Sequence, residues 1–201
     1  MKPTIRTTAT ICLAAFMLLA ACGHMSSIEV SYQAPAPANV LSGRVFNLIV
    51  EQDLKGQPLL GKGASKMLPH FNNTFVLTVN RHGNRFYTEG GLDLSQLYSK
   101  AVRERLEALG ATVVNGIAPG EDTIKIVIDS FTIDKTGRKW TGATSYEATY
   151  VRDGKAVRQE AVKAEVERVT LLGPKSVNIV ASDLVETAVN RLNIERLLSG
   201  I

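Results

Sequence analysis

Residues 145–169 read SYEATYVRDGKAVRQEAVKAEVERV, two runs of alternating apolar and polar residues joined by Asp153-Gly154. Asp-Gly suits a two-residue turn that needs positive φ at both central positions, so the flanking runs are expected to pair as a long antiparallel ribbon. A two-residue loop sets Tyr150 opposite Val157 and Tyr146 opposite Ala161, with both tyrosines on one face as core. Upstream, residues 123–133 (TIKIVIDSFTI) carry Ile124, Ile126 and Ile128 on one face and Val127, Phe131 and Ile133 on the other. Either both faces are covered or a bulge near Asp129-Ser130 switches the register. Residues 44–50 (RVFNLIV), 73–80 (NTFVLTVN), 85–88 and 112–114 read as further strands, the second and third joined across His82-Gly83-Asn84.

Helical spacing then supplies the second layer. Asp93 opens a helix, and Gln96 three positions later completes a capping box. Leu94, Leu97, Tyr98, Ala101, Val102, Leu106 and Leu109 form one apolar stripe; Arg103, Glu104 and Glu107 lie off it, and Gly110 ends it. After a break at Gly173-Pro174, a helix from about Ser176 turns Val177, Val180, Ala181, Leu184, Ala188 and Leu192 inward, and a short helical tail follows at 194–198. Two helices on one face of a largely antiparallel sheet are the economical assembly of these pieces. The expected fold is a two-layer α+β sandwich, one domain over residues 43–201.

A different kind of segment precedes this body. Lys2 and Arg6 stand before an apolar run over residues 9–21 that includes Ile11, Leu13, Phe16, Met17 and Leu18. A spanning helix needs roughly 20 apolar residues, so residues 1–21 read as a signal peptide. The run ends in Leu19-Ala20-Ala21-Cys22, which resembles the lipobox of bacterial lipoproteins. The resemblance implies cleavage before Cys22, diacylglycerol on its sulfur and an acyl chain such as palmitate on the new amino group. Each buried methylene contributes about 0.8 kcal/mol, and two or more chains anchor stably where one does not. Gly23, where such lipoproteins carry aspartate to stay at the inner membrane, implies transport to the outer membrane, with the domain facing the periplasm. Residues 22–42, with Ala34-Pro35-Ala36-Pro37-Ala38, read as a tether extended at about 3.1 Å per residue.

Composition limits the chemistry. Cys12 falls in the signal peptide and Cys22 is taken by lipid, which leaves the mature body without a thiol nucleophile or disulfide. The formal charge of +4 drops to about +2 without Lys2 and Arg6, and the signs alternate along the chain, so neither nucleic acid nor a polybasic membrane patch is expected. The layout also resembles the YajG family of outer-membrane lipoproteins. The likeness runs through the lipobox, Ser27-Ile28-Glu29-Val30-Ser31, the helix ending Leu106-Glu107-Ala108-Leu109-Gly110, the strand at 124–131, the Gly154-Lys155 hairpin and the helix at 181–192. It implies location and fold rather than a reaction.

Several motifs suggest chemistry and then fall short. Residues 56–63 (GQPLLGKG) match seven positions of a phosphate-binding loop, but Gly63 replaces the serine or threonine that would hold magnesium, and no clear helix is expected to follow. ATP is excluded, and the stretch reads as a flexible glycine loop. His24, His70 and His82 are the only histidines; Ser65 near His70 lacks a nucleophile elbow. Glu51/Asp53 and Asp129/Asp134 are the carboxylate pairs a glycosidase would need, though neighbours on one strand need not share a groove. No metal or cofactor is expected. Trp140, flanked by Arg138 and Lys139, is a candidate interface with a partner or anionic lipid, with core packing the stronger expectation.

These readings point to a non-catalytic, lipid-anchored envelope protein that binds a protein partner or supports an assembly. The alternatives are an auxiliary of lipid or lipopolysaccharide transport, which would need an apolar groove or a basic patch, and a periplasmic hydrolase using His70 or Glu51. Cys22→Ser is expected to abolish acylation and to shift the protein from the membrane to the soluble fraction, and globomycin is expected to block processing of the parent. Fractionation with mass spectrometry of the amino-terminal peptide checks both.

Overall fold

The computed structural model describes residues 26–81, 84–114, 122–169 and 175–199, so Leu19, Ala20, Ala21, Cys22 and His82 lie outside the described residues. Among the described residues eight strands and four helices follow in order: β1 (Ser26–Gln33), β2 (Val45–Gln52), α1 (Lys62–Met67), β3 (Phe71–Arg81), β4 (Asn84–Leu92), α2 (Leu94–Ala108), β5 (Thr112–Val114), β6 (Asp122–Thr136), β7 (Lys139–Arg152), β8 (Lys155–Val169), α3 (Ser176–Arg191) and α4 (Ile194–Leu198). No helix among the described residues is long and apolar enough to cross a membrane.

The fold is α+β, with its strands divided between two sheets of order β1-β3-β4 and β5-β2-β6-β7-β8. The second is built around the expected ribbon. Asp153 and Gly154 both take positive φ (49° and 72°) and close β7 onto β8. The expected register is corrected, however: Tyr150 faces Arg158 and Tyr146 faces Val162, because the ladder slips between Tyr150 and Val151. The extra residue turns Val162, Ala164 and Val166 toward the core, where uninterrupted alternation would have sent Ala161, Lys163 and Glu165. In β6 the bulge alternative holds. The ladder shifts between Ile128 and Ser130, and Phe131 and Ile133 join Ile124, Ile126 and Ile128 in the core while Asp129 is exposed.

Parallel pairing is more extensive than expected. β2 lies between β5 and β6, parallel to both, and β1 runs parallel to β3. The chain leaves β2 for the other sheet and comes back through α2, so it re-enters in the same direction. The two sheets meet where Phe75 of β3 packs edge-on against Phe131 of β6, with ring centroids 5.9 Å apart, and Phe71 extends the stack.

The tether reading of residues 22–42 is corrected from Ser26 onward. Ile28, Val30 and Tyr32 of β1 are fully buried, and the strand is an edge of the smaller sheet. The Pro/Ala stretch is strapped to the body rather than free: Ala34 N–H donates to Asn80 O (3.0 Å), Ala38 N–H to Ala108 O (2.7 Å) and Leu41 N–H to Leu109 O (2.9 Å).

Two helices lock these parts together. In α2, Asp93 and Gln96 form the expected capping box, and the expected stripe is buried apart from half-buried Leu109. Glu104, expected on the polar face, is buried because Arg81 Nε donates to it at 2.8 Å. Tyr98 reaches across to donate to Thr144 Oγ1 (3.0 Å), and its ring meets Tyr146 edge-on. Helix α3 closes the open edge of β1: Asn178 Oδ1 accepts from Glu29 N–H (3.1 Å), and one turn later Ser182 Oγ accepts from Ser31 N–H (2.8 Å). The far end of α3 is capped by Arg105 of α2, which donates to Val189 O and Leu192 O, and by the Tyr146 hydroxyl on Ala188 O (2.9 Å). A cation at this helix end also favours the helix dipole.

Phe131→Ala is expected to cost about 3–5 kcal/mol, because it removes a fully buried ring at an aromatic junction between the sheets. Urea unfolding followed by circular dichroism measures it.

Candidate functional site

The concave surface of the domain is organised by α3. On one side, a groove of about 600 Å³ runs between α3 and the edge strand β8; Val166, Glu167, Arg168, Asp183, Glu186 and Arg191 are among its lining residues. On the other side, a groove of about 380 Å³ separates α3 from β1 and β3, lined in part by Glu29, Ser31, Asn80, Asn178 and Ser182. Asp183 borders both grooves, and Ile179 stands exposed on the ridge.

Polar groups enter both grooves because α3 has to satisfy strand edges on either side, although the groove beside β1 exposes more apolar than polar surface. Toward β8, Arg168 Nε pairs with Asp183 at 2.7 Å, and Arg191 Nη1 donates to Lys163 O at 2.6 Å. Burial, with Asp183 close by, raises the Glu186 carboxyl above its ordinary range. Toward β1, Asn80 Nδ2 donates to Ser31 Oγ (2.9 Å) and Asn178 Nδ2 to Glu29 Oε2 (3.3 Å). Hydrogen-bonding groups and an exposed isoleucine on one side of α3, with paired charges on the other, are the mix of a polypeptide-binding surface.

The space between helices and sheets is filled. Leu97, Tyr98, Ala101, Val180, Ala181 and Leu184 are completely buried there. Burial raises the phenols of Tyr32, Tyr98 and Tyr146, which keeps them neutral. The grooves along α3 therefore lie on the surface and do not open into an apolar chamber.

The residues singled out from sequence do not converge. Ser65 and His70 are exposed, and the Ser65 hydroxyl donates to Leu60 O at 3.3 Å. Glu51 is exposed and ion-paired with Lys125 (2.9 Å); Asp53 and Asp129 are exposed as well. Among the described residues, no group of three or more histidine, cysteine or acidic side chains could hold a metal. Trp140 is only 1 % exposed and packs in the core, with Lys135 Nζ 6.0 Å from its ring centroid, while Arg138 and Lys139 remain at the surface.

The phosphate-loop lookalike has a different use. A helix does follow it: α1, six residues long, whose first N–H groups are taken by the chain's own anion. Gly63 N–H and Ala64 N–H donate to Asp134 Oδ1 at 2.9 and 3.2 Å. Burial raises the Asp134 carboxyl, but the backbone donors of Lys135, Ala64 and Gly63 outweigh it and hold the group below its ordinary range. The glycines permit close approach rather than flexibility. A Cβ on Gly61 would lie 2.2 Å from Asp134 Cγ, and one on Gly63 would lie 1.8 Å from Lys135 O. The grooves along α3 escaped sequence analysis because Asn178, Ser182 and Asp183 looked like the ordinary polar side of an amphipathic helix.

No protein-family model matches the chain, and no curated protein matches it. Among solved structures, it is similar to protein XCC0632 from Xanthomonas campestris, of the family DUF330, with 9 % identity, 83 % of this chain and 92 % of that chain covered, and a TM-score of 0.54. The rare lipoprotein B of Shewanella oneidensis shares 11 % identity over 72 % of this chain and 89 % of its own, with a TM-score of 0.37. PelC from Paraburkholderia phytofirmans shares 13 % over 78 % and 88 %, with a TM-score of 0.35. The first likeness is one of fold; the other two, at these scores, support no argument.

Gly63→Ala is expected to destabilise the domain by about 3 kcal/mol, because backbone rather than a movable side chain blocks the new methyl group. Lys62→Ala, at the lysine a phosphate loop would use, is expected to change stability by no more than about 0.5 kcal/mol. Urea midpoints of the two variants check both.

Proposed function

We propose that this chain is a lipid-anchored lipoprotein of the bacterial cell envelope, YajG-like in its layout, held at the outer membrane on the periplasmic side. It binds a protein partner along α3 and catalyses no reaction. The anchor rests on Leu19-Ala20-Ala21-Cys22 behind the charged and apolar signal segment. The observation that carries the binding role is the pair of surface grooves along α3, the one beside β8 lined by charges of both signs and the one beside β1 bordered by exposed Ile179. A lipid carrier needs room for an acyl chain between helices and sheets, and that space is taken by the buried side chains of Leu97, Tyr98, Ala101, Val180 and Leu184. A hydrolase needs a nucleophile and base within hydrogen-bond reach, and His70, Ser65 and Glu51 are each spent on the open surface.

Site-specific photocrosslinking in cells tests this reading. A crosslinker at Ile179 or Thr187 is expected to yield one discrete adduct, and one at exposed Val45, away from α3, is expected to yield none. The same pattern of adducts from all three positions, or none from Ile179 and Thr187, would remove α3 as the binding surface.

A further inference from the structure

The topology brings one end of the domain up against the anchor. Only Gly23, His24 and Met25 separate Cys22 from Ser26, so at about 3.6 Å per residue the first residue of β1 lies within about 14 Å of the acylated cysteine. Register then identifies what shares that end. Ser26 lies beside Phe71 at the start of β3. α3 follows β1 in the same direction, Asn178 at Glu29 and Ser182 at Ser31, which brings Lys175 to the same end. The β6–β7 turn at 137–138 and the last residue of β8, Val169, meet there through the pairs Thr136–Lys139 and Lys139–Val169. α1 is pinned to the same place by Asp134, bringing Lys62 and Lys66.

This end is rich in cations without carboxylate partners. Lys139 pairs with Glu167, and Arg168 with Asp183, but Lys62, Lys66, Arg138 and Lys175 are exposed and have no carboxylate partner among the described residues. Val169, 74 % exposed, adds an apolar contact. At the opposite end Arg44 and Arg152 share Asp122 and Arg81 bridges Glu104 and Glu107, while Lys155, Arg158 and Arg196 have no carboxylate partner among the described residues, so what selects the Lys62 end is its nearness to Cys22.

We propose that the end bearing Lys62, Lys66, Arg138 and Lys175 seats on the anionic headgroups of the leaflet that holds the lipid anchor, which leaves the grooves along α3 open to a partner at the side. The proposal rests on the anchor reading of Cys22. Lysines are mobile, strongly hydrated point charges, suited to a plane of phosphates rather than to one bidentate ligand. Each basic residue close to an anionic surface strengthens attachment about fivefold, and the effect fades within about 10 Å as salt screens it.

Amine-reactive footprinting of the acylated mature protein tests this. The protein is reconstituted in vesicles of phosphatidylcholine alone or of phosphatidylcholine with phosphatidylglycerol. Lys155, roughly 40 Å away at the other end of the β7–β8 ribbon, and Lys163 serve as exposed references. Labelling of Lys62, Lys66 and Lys175 relative to the references is expected to slow at least about threefold in the phosphatidylglycerol vesicles, and to recover in high salt. Equal labelling in both vesicle types, whether fast or slow, overturns the proposal. The same mass spectra report the mass of the Cys22 peptide: acylation without headgroup-dependent protection removes this proposal alone, and no acylation removes the anchor reading along with it.

Discussion

An open sheet edge leaves backbone donors that must find partners, and the closing of the β1 edge by α3 is the constraint on which this fold depends. Glu29 N–H and Ser31 N–H point away from β3, and Asn178 and Ser182, one helical turn apart, meet them. This sets the axis of α3 along β1 and fixes where the helix crosses β7. There Gly142 leaves room for Val180 and Leu184; a Cβ at that position would sit 3.1 Å from each. The position of Arg105 follows, because its guanidinium has to reach the last carbonyls of the helix. Burial lowers the pKa of this cation without bringing it near neutrality. The first strand and α3 thus form one unit, and the second sheet packs against it.

The parts of this arrangement that were legible in the sequence were local. The capping box of Asp93 and Gln96, the turn at Asp153-Gly154 and the short helix at 194–198 each depend on a few adjacent residues, and each is found where expected. The bulge in β6 was legible as one of two options, because Ile128 and Phe131 could share a face in no other way. What escaped was set by partners distant in sequence. The shift opposite Val151 depends on whether the outer half of β8 should bury Val162 or Ala161, a choice made by α3 and not by the turn. The alternation of Ile28, Val30 and Tyr32 was on the page, but the alanines and prolines beyond it suggested a tether, and β1 has no meaning without β3 and α3. Two sheets cannot be told from one when the parallel pairs are joined by long crossovers.

The candidate surface was illegible for a related reason. Polar residues on an exposed helix face carry no sign of what borders them, and only the packed structure shows that Asp183 stands between two grooves. Gly61, Lys62 and Gly63 teach the converse. As a string they suggested phosphate; in the fold the anion is Asp134, and the glycines exist so that α1 can lie directly on β6. A motif that draws a helix start toward a negative charge can be satisfied from within.

The bond between Ser31 and Ser182 spans 151 positions along the chain. A polypeptide synthesised amino end first produces β1 long before the helix that completes it. Until the carboxy-terminal segment is available, Ile28, Val30 and Tyr32 have only part of their burial and an unsatisfied backbone flank, so the finished body cannot form on an incomplete chain. Such a long closure favours slow folding. Connectivity alone thereby keeps the chain pliable until its last residues are in place.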